Sequence, residues 1–154
     1  MSLALACDLR LAAQGTRFNL AFINIGLAPD SGSTYTLPRL VGLGKALELA
    51  LTGDFVDAGE AKRLGIVNRV LPEAELLAGA ETLARQIAEK SAFAVARIKR
   101  LLHQAYGRRL DEQLEAEARV QREIARESAD FLEGIRAFLE KRPPRFNQAS
   151  IPVD

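Results

Sequence analysis

The chain has 154 residues, 48% of them hydrophobic, which is enough for one compact domain and requires no second one. Its 21 Lys and Arg nearly balance 20 Asp and Glu, so the basic footprint of a nucleic-acid-binding domain is missing. A single cysteine, Cys7, excludes an internal disulfide and reads as a small buried residue in a reducing cytoplasm, and no stretch has the length and apolarity of a membrane span.

Residues 1–7 are small or apolar helix formers with no capping residue ahead of them, so their helix is expected to begin before Met1. The same start superficially resembles a lipoprotein signal, yet it lacks a basic region and enough apolar residues. Leu9 to Ala13 reads as a short buried strand with a turn at Gln14-Gly15, whereas Phe18 to Ile25 is ambiguous. From Gly26 to Ser33 proline and glycine impose a loop. Leu37 to Leu51 has helical apolar spacing interrupted at Gly42 and Gly44, which predicts two short helices.

Asp57 with Glu60 three residues on predicts a capping box, and Gly65 a left-handed helix end. Ile66 to Leu71 reads as a strand, and Pro72 suits the first position of a helix reaching about Glu89, with Leu76, Leu77, Leu83 and Ile87 on its apolar face. Ser91 is expected to cap a basic amphipathic helix that Gly107 ends. The next helix runs from about Leu110 to Glu127, with Leu114, Ala118 and Ile124 expected to face inward. Asp130 and Glu133 resemble a second capping box, ahead of a helix with Phe131, Ile135, Phe138 and Leu139 on one face and Pro143-Pro144 as its stop.

Few residues offer chemistry. His103 has no second His or Cys at ligand spacing, so no metal site is expected, and Ser31-Gly32-Ser33 lacks the strand–nucleophile–helix context of a hydrolase. Asp30 stands out as a carboxylate between a proline and a Ser-Gly-Ser turn, just before a helix. Two readings fit it: an N-cap, or an acid–base group in an apolar setting.

Several segments together carry a resemblance: Ala6-Cys7-Asp8-Leu9-Arg10-Leu11-Ala12-Ala13 through Arg17-Phe18, the run from Asn24 to Gly42 around Pro29-Asp30-Ser31-Gly32, Leu49-Ala50-Leu51-Thr52-Gly53, Ala58 to Val70, and Phe138-Leu139-Glu140-Lys141-Arg142-Pro143-Pro144-Arg145-Phe146. The chain resembles the enoyl-CoA hydratase/isomerase (crotonase) family over nearly its whole length. The resemblance implies an α/β fold: the C-terminal part of a crotonase (ββα spiral) core over 1–71, a helical trimerisation region over 72–142 and a tail over 143–154. It also implies that a glycine turn supplying one oxyanion-hole N–H, and a β-rich half supplying the other, lie upstream of Met1. The chain is thus expected to be N-terminally truncated.

Family hydratases use two glutamates, and the matching positions here are Ser2 and Phe22. Aspartate-dependent isomerases of the family, including dienoyl-CoA isomerases and the ring-opening isomerase of phenylacetate degradation, instead place an aspartate where Asp30 stands. The resemblance therefore implies Asp30 as the catalytic base, with Ser2, Ala21, Phe22 and Pro29 around the acyl group. Phe22, Leu27 and a bound acyl chain are expected to enclose Asp30 and strengthen it as a base, outweighing the helix N-terminus, which is worth about 0.3–1 kcal/mol.

Phe138 and Lys141 share a helix face and match residues that reach coenzyme A on a neighbouring subunit; the plainer reading is a core ring and a solvated cation. The implied partners are an acyl-CoA thioester and further copies of the chain, as a homotrimer or dimer of trimers in the cytoplasm, with no nucleic acid or membrane. No metal or cofactor is implied beyond coenzyme A as part of the substrate. Three alternatives stand: a hydratase, a non-catalytic fragment associating through its C-terminal helices, and an aryl-CoA dehalogenase, which is disfavoured because the tryptophan beside that nucleophile has no counterpart here.

Overall fold

Glycines bound the helices Ser33–Val41 and Leu43–Thr52, and capping side chains open the helices Ala58–Arg63 and Ala92–Ala105. The computed structural model describes residues 1–148, which fall into two compact units meeting in sequence at Thr82 and Leu83. The first contains α1 (Ser2–Leu5), β1 (Leu11–Ala13), β2 (Arg17–Phe18), a 3₁₀ helix (Ala21–Ile25), α2 (Ser33–Val41), α3 (Leu43–Thr52), β3 (Val56–Asp57), α4 (Ala58–Arg63) and β4 (Arg69–Leu71). A 3₁₀ turn at Glu73–Glu75 then leads into α5 (Leu76–Ala88), which crosses the sequence boundary. The second unit contains α6 (Ala92–Ala105), α7 (Leu110–Glu127) and α8 (Ala129–Leu139).

In the first unit β1 pairs in parallel with β4, Ala12 opposite Val70, while β2 pairs antiparallel with β3, Phe18 opposite Val56. A parallel partner demands a long crossover, and here it consists of everything from β2 to α4. The core gathers Leu20, Leu37, Leu49, Val56 and Ala61 from that crossover, Leu5 from α1, Ala12 from β1, and Ile66 and Val67 from the chain leading into β4. Full burial of a side chain such as Leu37 is worth about 1.5–3 kcal/mol.

Local chemistry explains the helix ends. Gly42 (φ 79°, ψ 158°) separates α2 from α3, in a conformation closed to L side chains, whereas Gly44 lies within α3 and breaks nothing. The Asp57 carboxylate accepts a 2.8 Å hydrogen bond from Glu60 N–H and caps α4, while the Glu60 side chain turns to Arg63, which holds its carboxyl below the usual range. At the other end Ile66 N–H reaches Ala61 O (2.8 Å) and Gly65 N–H reaches Lys62 O (3.1 Å), the paired bonds of a Schellman motif. Those bonds draw Ile66 and Val67 into the core as irregular chain, so β4 starts only at Arg69 and not at Ile66 as the pattern suggests.

Ser91 Oγ accepts from Ala94 N–H (3.3 Å) and caps α6 as expected. The inward face of α7 differs from expectation. Ala116 and Val120 are buried, and Glu123 on the same stripe pairs with Arg97 of α6 at 2.6 Å. Small side chains allow α6 to approach, which turns Leu110, Leu114 and Ala118 outward. The second capping box does not form either. The N-cap of α8 is Ser128, with no side-chain bond; Asp130 accepts from Asn147 N–H (2.9 Å) and Glu133 is taken up by Arg142 and Arg145 N–H. Of the expected tail, residues 143–148 are held down, with Asn147 Nδ2 donating to Lys90 O (2.9 Å) and its Oδ1 accepting from Ala92 N–H (2.9 Å); residues 149–154 lie outside those described. Cys7 is exposed at the end of α1 rather than buried, because the helix stops short of it.

Candidate active site

The 3₁₀ helix Ala21–Ile25 closes on Gly26, and Leu27 N–H returns to Phe22 O at 2.9 Å, sending the chain out into the loop that carries Asp30. Ser31 (φ 52°) and Gly32 (φ 76°) then both take left-handed conformations. For serine that costs about 1–2 kcal/mol, an outlier held by its surroundings. Those surroundings are Ser33, fully buried, whose Oγ and N–H both donate to Asp30 O at 2.7 and 3.0 Å. The Asp30 main chain is thus anchored from inside the protein.

The Asp30 carboxylate is solvent-exposed, and among the described residues it has no hydrogen-bond or ion-pair partner. It does not cap α2, whose N-cap is Gly32 with no side-chain bond, so the capping alternative is overturned. Nor do Phe22 and Leu27 enclose it. The Phe22 ring is half-buried against the core, and Leu27 is 56% exposed. Any apolar cover over Asp30 must come from elsewhere than these two side chains.

The other expected acyl-site positions lie in the same unit. Ser2 sits on α1, which packs against α2, and its buried hydroxyl has no hydrogen-bond partner among the described residues. An orphaned buried hydroxyl costs about 1–3 kcal/mol, which a bound polar atom would relieve. Ala21 is exposed and Pro29 half-buried. Sequence reasoning weighed Ser31 and Ser33 only as hydrolase nucleophiles and not as the anchor of the Asp30 loop; the signal available was two small polar residues flanking a glycine at the start of a helix.

In the second unit Phe138 is 83% exposed, so it is not a core ring. Lys141 follows the last turn of α8 with φ 54°, in the left-handed position that glycine usually takes. Its N–H bonds Phe138 O (3.2 Å) and Arg142 N–H bonds Ala137 O (3.0 Å), so α8 ends in the same motif as α4, with lysine in place of glycine. The Lys141 ammonium has no ion-pair partner among the described residues. Among those residues, no three His, Cys, Asp or Glu side chains gather to hold a metal, and no helix is long and apolar enough to cross a membrane.

Comparison with known proteins adds to this geometry. The family model for enoyl-CoA hydratase/isomerase matches residues 1–149. Over 145 residues the chain is 42% identical to a probable enoyl-CoA hydratase of Rhodobacter capsulatus, covering 94% of this chain and 56% of that protein. It is 40% identical, again over 145 residues, to 1,2-epoxyphenylacetyl-CoA isomerase of Escherichia coli, covering 94% and 55%. The crystal structure of an enoyl-CoA hydratase from Bacillus anthracis superimposes with a TM-score of 0.89 at 36% identity, covering 94% of this chain and 55% of that one. The chain spans about half the length of the curated relatives it matches.

Proposed function

The chain belongs to the enoyl-CoA hydratase/isomerase family and carries the C-terminal part of the crotonase fold, and on that premise we propose that the protein is an acyl-CoA isomerase whose single base is Asp30. The reaction shifts a double bond, or unsaturation derived from a ring, within a CoA thioester. The observation that carries the reading is a carboxylate left without a partner while its own backbone is anchored through buried Ser33. A capping or ion-paired aspartate is occupied structurally; this one is free for a ligand.

The chemistry follows from one carboxylate. Asp30 removes a proton from a carbon activated by the thioester carbonyl, leaving an enolate, and the resulting carboxylic acid returns a proton to another carbon of the conjugated system. Hydrogen-bond donors aimed at the enolate oxygen lower the barrier between the two transfers. An acyl chain lying over the Asp30 loop excludes water and strengthens the base, since apolar cover disfavours the charged carboxylate. Ser2 offers a buried hydroxyl to a polar substrate atom, Ala21, Phe22 and Pro29 shape the acyl side, and Phe138 and Lys141 meet the nucleotide end of coenzyme A across a trimer or dimer of trimers.

A hydratase is the second reading, because relatives bearing that name match as well as the isomerase does. Ser2 and Phe22 argue against it, since neither has a side chain that exchanges a proton at neutral pH. A panel of unsaturated and aromatic-derived CoA thioesters given to the full-length protein separates the two, followed by proton NMR. Migration of a double bond or opening of a ring without uptake of water supports the proposal. Accumulation of a 3-hydroxyacyl thioester would replace it with the hydratase reading.

A further inference from the structure

Lys141 holds a backbone conformation that lysine rarely adopts, and the side chains on either side of it show what enforces it. Arg142 makes a bidentate pair with Glu133, Nη1 to Oε1 at 2.6 Å and Nη2 to Oε2 at 3.0 Å, and its Nε donates to Glu140 Oε2 at 2.5 Å. The bond from Arg142 to Glu140 spans Lys141 itself, and Arg142 Nη1 also donates to Pro143 O (3.2 Å) on the far side. Glu133, more than two helical turns earlier on α8, takes a further bond from Arg145 N–H at 2.8 Å. The chain is therefore fastened to the body of α8 just before and just after the left-handed residue.

The segment that follows is fastened too. Phe146 lies against Gly134 of α8, where an added Cβ would stand 3.6 Å from the ring, and Asn147 bonds Asp130 and the α5–α6 junction. Among the described residues the Lys141 ammonium has no hydrogen bond or ion pair, and the Phe138 ring is 83% exposed. All the fastening acts on the backbone around these two side chains and leaves the side chains themselves unoccupied. A fork of guanidinium bonds is direction-specific in a way an ammonium cannot reproduce.

We propose that Arg142, braced between Glu133 and Glu140, is a positioning residue that fixes the left-handed turn at Lys141 and so aims the Lys141 ammonium and the Phe138 ring at the nucleotide of a CoA thioester. The inference rests on the reading of Phe138 and Lys141 as coenzyme A contacts. Arg142 itself touches no substrate; it acts through the turn. Replacing it with lysine keeps the charge but loses the fork, and the turn relaxes toward the extended or helical backbone that lysine prefers.

The test compares two thioesters of the same acyl group in the full-length protein, one on coenzyme A and one on N-acetylcysteamine, which lacks the nucleotide. Arg142→Lys is expected to raise KM for the CoA thioester about two- to fivefold, the cost of misdirecting one exposed charged contact, with no matching loss on the N-acetylcysteamine thioester. Lys141→Ala gives a similar rise, and the double variant is no worse than Lys141→Ala alone. In parallel, the strong intraresidue amide-to-Hα NOE that positive φ gives Lys141 weakens in Arg142→Lys. Glu140→Gln, which keeps the Glu133 pair, shows a smaller change in the same direction. An unchanged NOE or KM in Arg142→Lys, or equal losses on both thioesters, overturns the positioning role alone. Unchanged KM in Lys141→Ala overturns the coenzyme A reading, and this inference with it.

Discussion

Lys141→Gly is expected to make the protein slightly more stable and, on the proposed function, a poorer binder of a CoA thioester. A non-glycine residue in the left-handed region, as Lys141 is at φ 54°, costs about 1–2 kcal/mol. Glycine in its place loses about 0.5–1 kcal/mol through its freer unfolded chain, and removing an ammonium from the C-terminal end of α8 loses about 0.3 kcal/mol more. The balance is a gain of about 0.5 kcal/mol, or about 1–2 °C in Tm for a chain of this size. Both hydrogen bonds of the turn are made by backbone N–H groups, so the substitution removes neither. Thermal unfolding followed by circular dichroism measures the first half of the prediction, and KM for a CoA thioester the second. A fall in Tm of more than about 2 °C would mean instead that contacts of the lysine side chain outweigh the strain.

Asp57→Ala removes the 2.8 Å cap on α4 and is expected to cost about 1 kcal/mol, lowering Tm by about 2–4 °C; an unchanged Tm would show that solvent satisfies Glu60 N–H equally well. Leu37, 2% exposed at the centre of the first unit, should cost about 2–5 kcal/mol as Leu37→Ala in urea unfolding, and a loss under about 1 kcal/mol would remove it from the core. Glu133 is held from the ordinary 4.5 down to about 2, first by its hydrogen bonds from Arg142 and next by Arg145 N–H. A carboxyl depressed on folding contributes stability above its unfolded pKa and loses that contribution as pH falls, here from 4.5 toward about 2. Glu133→Gln should therefore be less stable than the parent near neutral pH in urea unfolding, with the gap closing by about pH 2; a gap that persists there would assign the effect to packing.

What could be read ahead of the structure was whatever depends on a residue and its near neighbours in sequence. Gly42 divides two helices, Asp57 and Ser91 cap theirs, Gly65 closes α4, and α7 runs from Leu110 to Glu127, because each boundary is decided by a φ angle or a bond three or four residues long. What failed was decided by distant partners. α7 has two apolar stripes, and only the arrival of α6 selects Ala116 and Val120 over Leu114 and Ala118. Asp130 and Glu133 have the spacing of a capping box, yet stronger donors from residues 142–147 claim both carboxylates. The site divides in the same way. Asp30 was legible from its loop, whereas its anchoring by Ser33 was not, since nothing in the pattern tells a buried serine from an exposed one. Nor does the pattern tell that Phe22 packs against the core while Asp30 stays exposed.

In the proposed isomerase the partnerless carboxylate of Asp30 moves the proton. It is tested by the rate of double-bond migration in a CoA thioester, followed by proton NMR and compared between the full-length protein and its Asp30→Asn variant. If Asp30 is the base, its loss lowers that rate about 10²- to 10⁴-fold, while the thioester still binds. Migration at the parent rate in Asp30→Asn would remove Asp30 from the chemistry.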